Sequence, residues 1–372
     1  MSKRKKVLIL GDVRGAYRIQ NIVKYLVDRP KQYAININTT WCKFRPIKYI
    51  KSIFFDPFTV LFSNVVYVNI LNVDIDIIYQ LFWAKIFRKK VIVDFYISIY
   101  EKVVLDEHWF KEKGLLAKLA KGLDKYYYNC GTKVVFLSEL EASHYCEMMN
   151  VSDKKANKKN VIIPHCIEGF PKVDLEKIYS NKTFNICWWG SYLPLHGIDR
   201  LLEAAKILKE KNISVKWYFF GNNDEKAKPY VKKAEELNIM DICVFENSFT
   251  MKNGKLLDFL HDKCSLALGN FGDSLKARML MSNKVLDACS MGALVLTGDA
   301  KAYNCFFDGE RDIFMSDIEP CNIADVIEKI YYMDSEKLKE RAEITYNKYI
   351  EFFTPEKYYN QLDMLFESLY TK

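Results

Sequence analysis

Short apolar runs rich in β-branched residues recur along the first 170 residues: KVLILG, YAININ, IDIIYQLF, KVIVDFYI, KVVFLS and NVIIPH. Stretches with a helical period separate several of them, such as AYRIQNIVKYLVD and GLLAKLAKGLDKYYYNC. Strand-like runs alternating with amphipathic helices predict a parallel, doubly wound sheet. The pattern pauses over NVIIPHCIEGFPKVDLEKIYSNK and then restarts with FNICWWG, a helix over 198–210, VKWYFFG, a helix over 225–237, ICVFEN, CSLALGN, a helix near 283–291 and ALVLTGD. Two Rossmann-like α/β domains facing a cleft are expected, residues 1–170 and 171–372, joined near 168–182. FTPEKYYNQLDMLFESLY predicts a last helix opened by Thr354 as N-cap, with Pro355 in its first turn. That helix is expected to pack back on the first domain.

Composition adds bounds. The 372 residues, half of them hydrophobic, suffice for two cores. The longest apolar stretches are too short to span a bilayer. The start, MSKRKKVLIL, resembles a signal peptide only briefly, since no small-residue cleavage site follows. It reads as a first buried strand, and the protein is expected to be cytosolic. Ten cysteines are scattered without a CxxC pair or a Cys/His ligand spacing, which favours reduced thiols over disulfides or structural zinc. The formal charge of +8 is uneven: residues 1–170 hold 28 Lys/Arg and 16 Asp/Glu, whereas 171–372 hold 27 and 31. A uniformly basic chain would suggest nucleic acid, and none is expected here; a basic half suggests one half meeting an anionic surface or substrate.

Ligands of such sheets bind at the C-terminal ends of the strands, so the loops there carry the candidate chemistry. In ICWWGSYLPLHGIDRLLEAAKILKE, Gly190, Ser191, His196 and Gly197 lie between a buried strand and a helix. Gly190 permits close approach of a ligand, and the first N–H groups of the helix suit a phosphate. LGDVRGAYR places Gly11 and Gly15 in a similar position after the first strand, although GxGxxG is absent. VDFYISIYEKVVLD brings Asp94, Ser98, Tyr100, Glu101 and Asp106 to a strand end, where they would orient an acceptor hydroxyl. Asp74-Ile-Asp76 is a DxD, but a strand-entry turn explains it better than a metal site, and no metal is expected.

The second half resembles the donor domain of GT-B glycosyltransferases, specifically the large retaining family 4. WWGSYLPLHGIDRLLEAAKIL, YFFGNND, NKVLDACSMGALVLTGD and FFDGERDIFM carry the resemblance in order, and the first half resembles the acceptor domain more loosely. It implies a nucleotide-sugar donor, bound as substrate with no cofactor, contacting Gly190, Ser191, His196 and Gly221. Ser191 and His196 stand where the family has an Arg or Ser and a Lys on the donor diphosphate. Histidine is a weaker, pH-dependent cation. Asp287 falls at the second position of the family's Glu-x7-Glu pair, on the ribose hydroxyls; the first falls on Met279. Some branches carry a basic loop followed by Asn-Lys instead, matched by Asn283 and Lys284. Lys276, Arg278 and Lys284 would then stabilise the departing diphosphate, with Asp94 on the acceptor side. The reaction implied is metal-independent transfer with retention. A nucleotide-sugar epimerase of the same fold and a non-catalytic partner subunit stay open.

KFRPIKYIKSIFFDPFTVLF, residues 43–62, interleaves Lys43, Arg45, Lys48 and Lys51 with Phe44, Tyr49, Phe54 and Phe55. That is the composition of a helix lying in a membrane interface. The alternative is a core helix whose aromatics pack on the sheet. Family members with such a segment commonly act on lipid-linked or membrane-held acceptors in surface polysaccharide synthesis, and on that reading the chain is expected at the inner face of the cell membrane.

Overall fold

The computed structural model describes residues 4–11, 13, 17–38, 45–70, 75–106, 108–180 and 183–370, without the side chains at 38, 45–49, 51, 106, 275 and 276. The chain divides into two compact units, Met1–Cys166 with Tyr358–Lys372, and Ile167–Lys357.

The first unit alternates β1 (Lys5–Leu10), α1 (Tyr17–Val27), β2 (Tyr33–Asn38), α2 (Arg45–Leu61), β3 (Val65–Asn69), α3 (Ile75–Ile86), β4 (Lys90–Asp94), α4 (Leu115–Cys130), β5 (Lys133–Phe136), α5 (Glu139–Met148), α6 (Asp153–Lys159) and β6 (Asn160–Ile162). Its strands pair in the order β2-β1-β3-β4-β5-β6, all parallel. A parallel sheet is buried on both faces, and alternate residues of one strand serve two cores. Leu8, Leu10, Val66, Val68, Val91 and Val93 face the layer that includes α3, α4 and α5. Val7, Ile9, Val65, Tyr67 and Ile92 face α1 and the C-terminal segment of the chain.

The second unit contains α7 (Leu175–Ser180), β7 (Phe184–Trp189), α8 (Ile198–Glu210), β8 (Val215–Phe220), α9 (Asp224–Glu236), β9 (Cys243–Phe245), α10 (Lys255–Lys263), β10 (Leu266–Leu268), α11 (Leu275–Met279), α12 (Asn283–Ser290), β11 (Val295–Gly298), β12 (Phe314–Ser316), α13 (Pro320–Tyr331) and α14 (Ser335–Phe352). Its parallel sheet runs β12-β11-β10-β7-β8-β9, which puts β7 and β10 at the centre. The last helix, α15, spans Pro355–Ser368. Its Tyr358, Leu362, Leu365 and Phe366 are buried in the first unit against residues such as Ile19, Ile22 and Tyr25.

Two segments differ from the sequence expectation. IDIIYQLF belongs to a helix, α3, and the third strand is the preceding VVYVN. The helical period is masked because α3 is apolar all round: Ile77, Leu81 and Ala84 are buried while Ile75, Phe82 and Ile86 are exposed. Asp76 of the DxD is therefore a buried helix residue, and Asp74 lies outside the described residues. The short β12 overlaps the end of FFDGERDIFM, which shows no strand pattern; three residues are too few for one.

Candidate functional site

At the C-terminal edge of the second sheet, two loops are pressed together backbone to backbone. Phe271 N donates to His196 O at 3.0 Å, and Gly272 N donates to Leu195 O at 3.1 Å. No side chain fits at this crossing: a Cβ on Gly197 would lie 2.3 Å from Phe271 O, and one on Gly272 would lie 2.4 Å from Leu195 O. Gly197 is also left-handed, at φ 65°, where it caps α8. Gly190 ends β7 at φ 144°, and a Cβ there would stand 3.5 Å from both His196 Cε1 and Lys284 Nζ. The sequence therefore assembles Gly190, His196 and Lys284 at one point, from the β7 loop and the start of α12.

Lys284 is buried, at 6% exposure. Its Nζ donates to Asn270 Oδ1 at 3.1 Å and lies 4.7 Å from the centroid of the Trp188 ring. Burial holds its pKa well below the usual lysine value, with Asp287 pulling the other way. Asp287, one turn along α12, is pushed up to about 7 by burial, against the lowering effects of the Trp189 indole and Lys284. An anion beside Gly190 would favour the charged form of Lys284 and supply a counter-charge that a neutral amide and a ring face do not.

His196 departs from the expectation of a diphosphate cation. Burial, and then the charge of Lys284, push its pKa down to about 3. It is neutral at physiological pH, its ring set edge-on to Trp188 at 5.3 Å, and its buried Nδ1 has no hydrogen-bond partner among the described residues. It shapes the loop and offers a ring nitrogen, but no charge.

Ser191 follows Gly190, half-buried, and Asn283 opens α12, half-buried. Gly221 acts through packing: a Cβ there would meet Tyr192 Cε2 at 2.1 Å, and Tyr192 donates its hydroxyl to Asn247 Oδ1 at 2.9 Å. Arg278 lies on α11, which packs against the turn Pro194–His196. Its guanidinium is largely exposed and ion-paired with Asp273. The Lys276 side chain and Gly15 lie outside the described residues. Asn270 and Trp188, which hold Lys284, carried no sequence signal of their own; only the pairing of β10 beside β7 brings them to it.

Asp94 is a correction. It is 1% exposed, accepts from Arg18 Nε at 2.7 Å on both oxygens, and accepts from the Tyr67 hydroxyl at 2.6 Å. Arg18 also donates to Ile163 O at 2.9 Å. With both oxygens occupied, Asp94 ties β4 to α1 rather than meeting a substrate. Its neighbours at the strand end do form polar groups. Ser98 donates to Asp124 at 2.7 Å, and burial pushes Asp124 up to about 6. His144 Nε2 lies 2.7 Å from Glu101 Oε1, which raises the His144 pKa.

Among the described residues, no three His, Cys, Asp or Glu gather as a metal cluster, and no helix is long and apolar enough to cross a membrane. No disulfide joins the described cysteines. A cavity of about 850 Å³ in the first unit is lined by Glu139, Glu147 and Asp153, a poor lining for a phosphate.

No protein-family model and no curated protein sequence matches the chain. Solved structures do match it in shape. HepE of Anabaena, in complex with UDP and glucose, superposes with a TM-score of 0.70 at 11% identity, over 98% of this chain and 100% of that one. Sucrose-phosphate synthase of Thermosynechococcus elongatus gives a TM-score of 0.73 at 10% identity, over 99% of each chain. A glycosyltransferase of Rickettsia africae gives 0.69 at 11% identity, again over 99% of each. Two parallel six-stranded sheets with interleaved helices, matched end to end by these structures, give the chain a GT-B fold.

Proposed function

We propose that the chain is a retaining, metal-independent glycosyltransferase of the hexosyltransferase type. It would take a sugar from a nucleotide-sugar donor held by the second unit. The acceptor would be membrane-associated, lipid-linked or a growing glycan, in surface polysaccharide synthesis. The observation that carries the reading is Lys284, a buried amine hydrogen-bonded to a neutral amide, beside a glycine that leaves room for a ligand. UDP and UDP-glucose bind the Anabaena neighbour, which makes UDP-sugars the first donors to try.

In this reading the acceptor hydroxyl attacks the anomeric carbon on the face from which the diphosphate leaves. The carbon–oxygen bond to the diphosphate breaks, and the acceptor proton passes to the departing phosphate oxygen. Lys284 stabilises the charge that develops there, and Asp287 orients the ribose. The basic balance of residues 1–170 suits an anionic acceptor.

The test is incubation with a panel of nucleotide sugars, with and without EDTA, following nucleotide release and product stereochemistry by NMR. The expected result is transfer, or slow hydrolysis, of one donor class with retention and no loss to EDTA. Epimer formation would make the chain an epimerase. Absence of both turnover and nucleotide binding would make it a non-catalytic subunit.

A further inference from the structure

α2 is amphipathic the wrong way round for a helix on a water-facing surface. The side chains it buries in its second half are Ser52, Asp56 and Val60, one per turn, with Ser52 donating to the Asp56 carboxylate. The side chains it turns outward are Ile50, Ile53, Phe54, Phe55, Phe58 and Leu61, each between 42% and 65% exposed, followed by Phe62 at 65%. A core helix does the reverse: α8 buries Leu201, Leu202 and Leu208 and leaves none of its charged side chains buried.

The inversion continues across the layer. α3 packs beside α2, with the Tyr79 hydroxyl donating to Ile53 O, and exposes Phe82 and Ile86. α4 packs beside α3, with the Tyr126 hydroxyl donating to Ile78 O, and exposes Leu115, Leu116 and Leu119, preceded by Trp109 at 64%. The charges are sorted as well. The one acid on each helix, Asp56, Asp76 and Asp124, is buried, whereas Lys85, Lys118 and Lys125 are exposed. The outward sides of the three helices thus hold aromatic and aliphatic groups interleaved with cations and, among the described residues, no exposed acid; Glu112, in the loop between Trp109 and α4, is exposed.

We infer that the α2–α3–α4 face of the first unit is a membrane-docking surface that inserts its aromatic side chains into the headgroup region of an anionic bilayer. Apolar bulk with fringing lysines is complementary to a lipid interface carrying negative headgroups. A protein partner of ordinary mixed charge would not select against every exposed acid on three helices. The surface reaches well beyond residues 43–62, to Trp109 and Leu119. It rests on the glycosyltransferase reading only for what the bound enzyme would meet there, a lipid-linked acceptor.

The test is co-sedimentation of the full chain with phosphatidylcholine vesicles, with and without phosphatidylglycerol, at low and high salt. Binding is expected to require the anionic lipid and to weaken with salt. The triple variant Phe54→Ser, Phe55→Ser, Phe58→Ser should lower the partition constant about ten-fold or more. Its melting temperature should hold, because all three side chains are already exposed. Trp109→Phe should remove a blue shift of fluorescence seen on adding anionic vesicles. A wild-type chain that stays in the supernatant with anionic vesicles at low salt overturns the inference. So does a triple variant that pellets like wild type. A concentration-dependent dimer in light scattering, abolished by the triple variant without any vesicle binding, would assign the face to a second copy instead. Donor hydrolysis without vesicles separates this from the proposed activity: it should survive in the triple variant. A chain that binds vesicles but turns over no donor would leave the membrane face standing and remove the transferase reading.

Discussion

Each unit buries a cation at the C-terminal edge of its sheet, and the two are treated in opposite ways. Arg18 is surrounded: both oxygens of Asp94, the carbonyl of Ile163 and the Tyr67 hydroxyl on the same carboxylate close the network. Lys284 has a neutral amide oxygen, a ring face, and a carboxylate whose own pKa is pushed up. A buried charge with its counter-ion in place is scaffold. A buried amine whose neighbouring carboxylate is itself driven towards its neutral form costs stability that an anionic ligand can return.

Breaking the scaffold should have the largest effect. Asp94→Ala leaves Arg18 buried and unpaired and is expected to lower stability by about 3–5 kcal/mol in chemical denaturation. Lys284→Met should leave stability unchanged or raised; equal losses at both sites would erase the contrast.

Activity should sort the other way. Lys284→Ala is expected to lower turnover about 10²–10³-fold, the usual effect of removing one charge contact to a transition state. A variant with wild-type turnover would show that the diphosphate is met elsewhere. Asp287→Asn should act on binding instead, weakening nucleotide affinity about ten-fold by calorimetry.

Titration sharpens the comparison. Lys284 is depressed by burial, so a nucleoside diphosphate that favours its charged form should take up protons on binding somewhere below the ordinary lysine range. The binding enthalpy should then vary with the ionisation enthalpy of the buffer, and Lys284→Met should abolish that dependence. Buffer-independent binding would mean that Lys284 is already fully charged in the free protein.

The smallest effect is expected at His196. Its folded pKa of about 3 lies below the ordinary value near 6.5. Its contribution to stability is therefore present above that ordinary value and lost as pH falls towards 3. His196→Gln should flatten the acid limb of the stability profile and leave activity between pH 7 and 8 nearly unchanged. A large loss of turnover there would restore a charged role for the ring.

Much of this was legible in the chain. Runs such as KVLILG and FNICWWG are strands because parallel strands are apolar on both faces, and Lys284 was visible from its place in SNKVLDACSMG. IDIIYQLF reads as a strand because a helix lined with apolar residues outside as well as inside has lost its period, and those outward residues belong to the docking face proposed above. Asp94 looked available because a sequence does not show that Arg18, 76 residues away, closes on it. The neutrality of His196 depends on burial and on Lys284, neither of which spacing reveals. Asn270 and Trp188 escaped for the same reason: strand order, not chain order, makes them neighbours.

The backbone crossing at Leu195–Gly197 and Phe271–Gly272 has a mechanical consequence. Two backbone hydrogen bonds and two glycine contacts without side-chain clearance stitch the loop after β7 to the loop after β10. Neither loop slides past the other unless both bonds break together. Opening at this edge is then a single event with one rate constant, and the Phe271 and Gly272 amides should exchange with solvent in step.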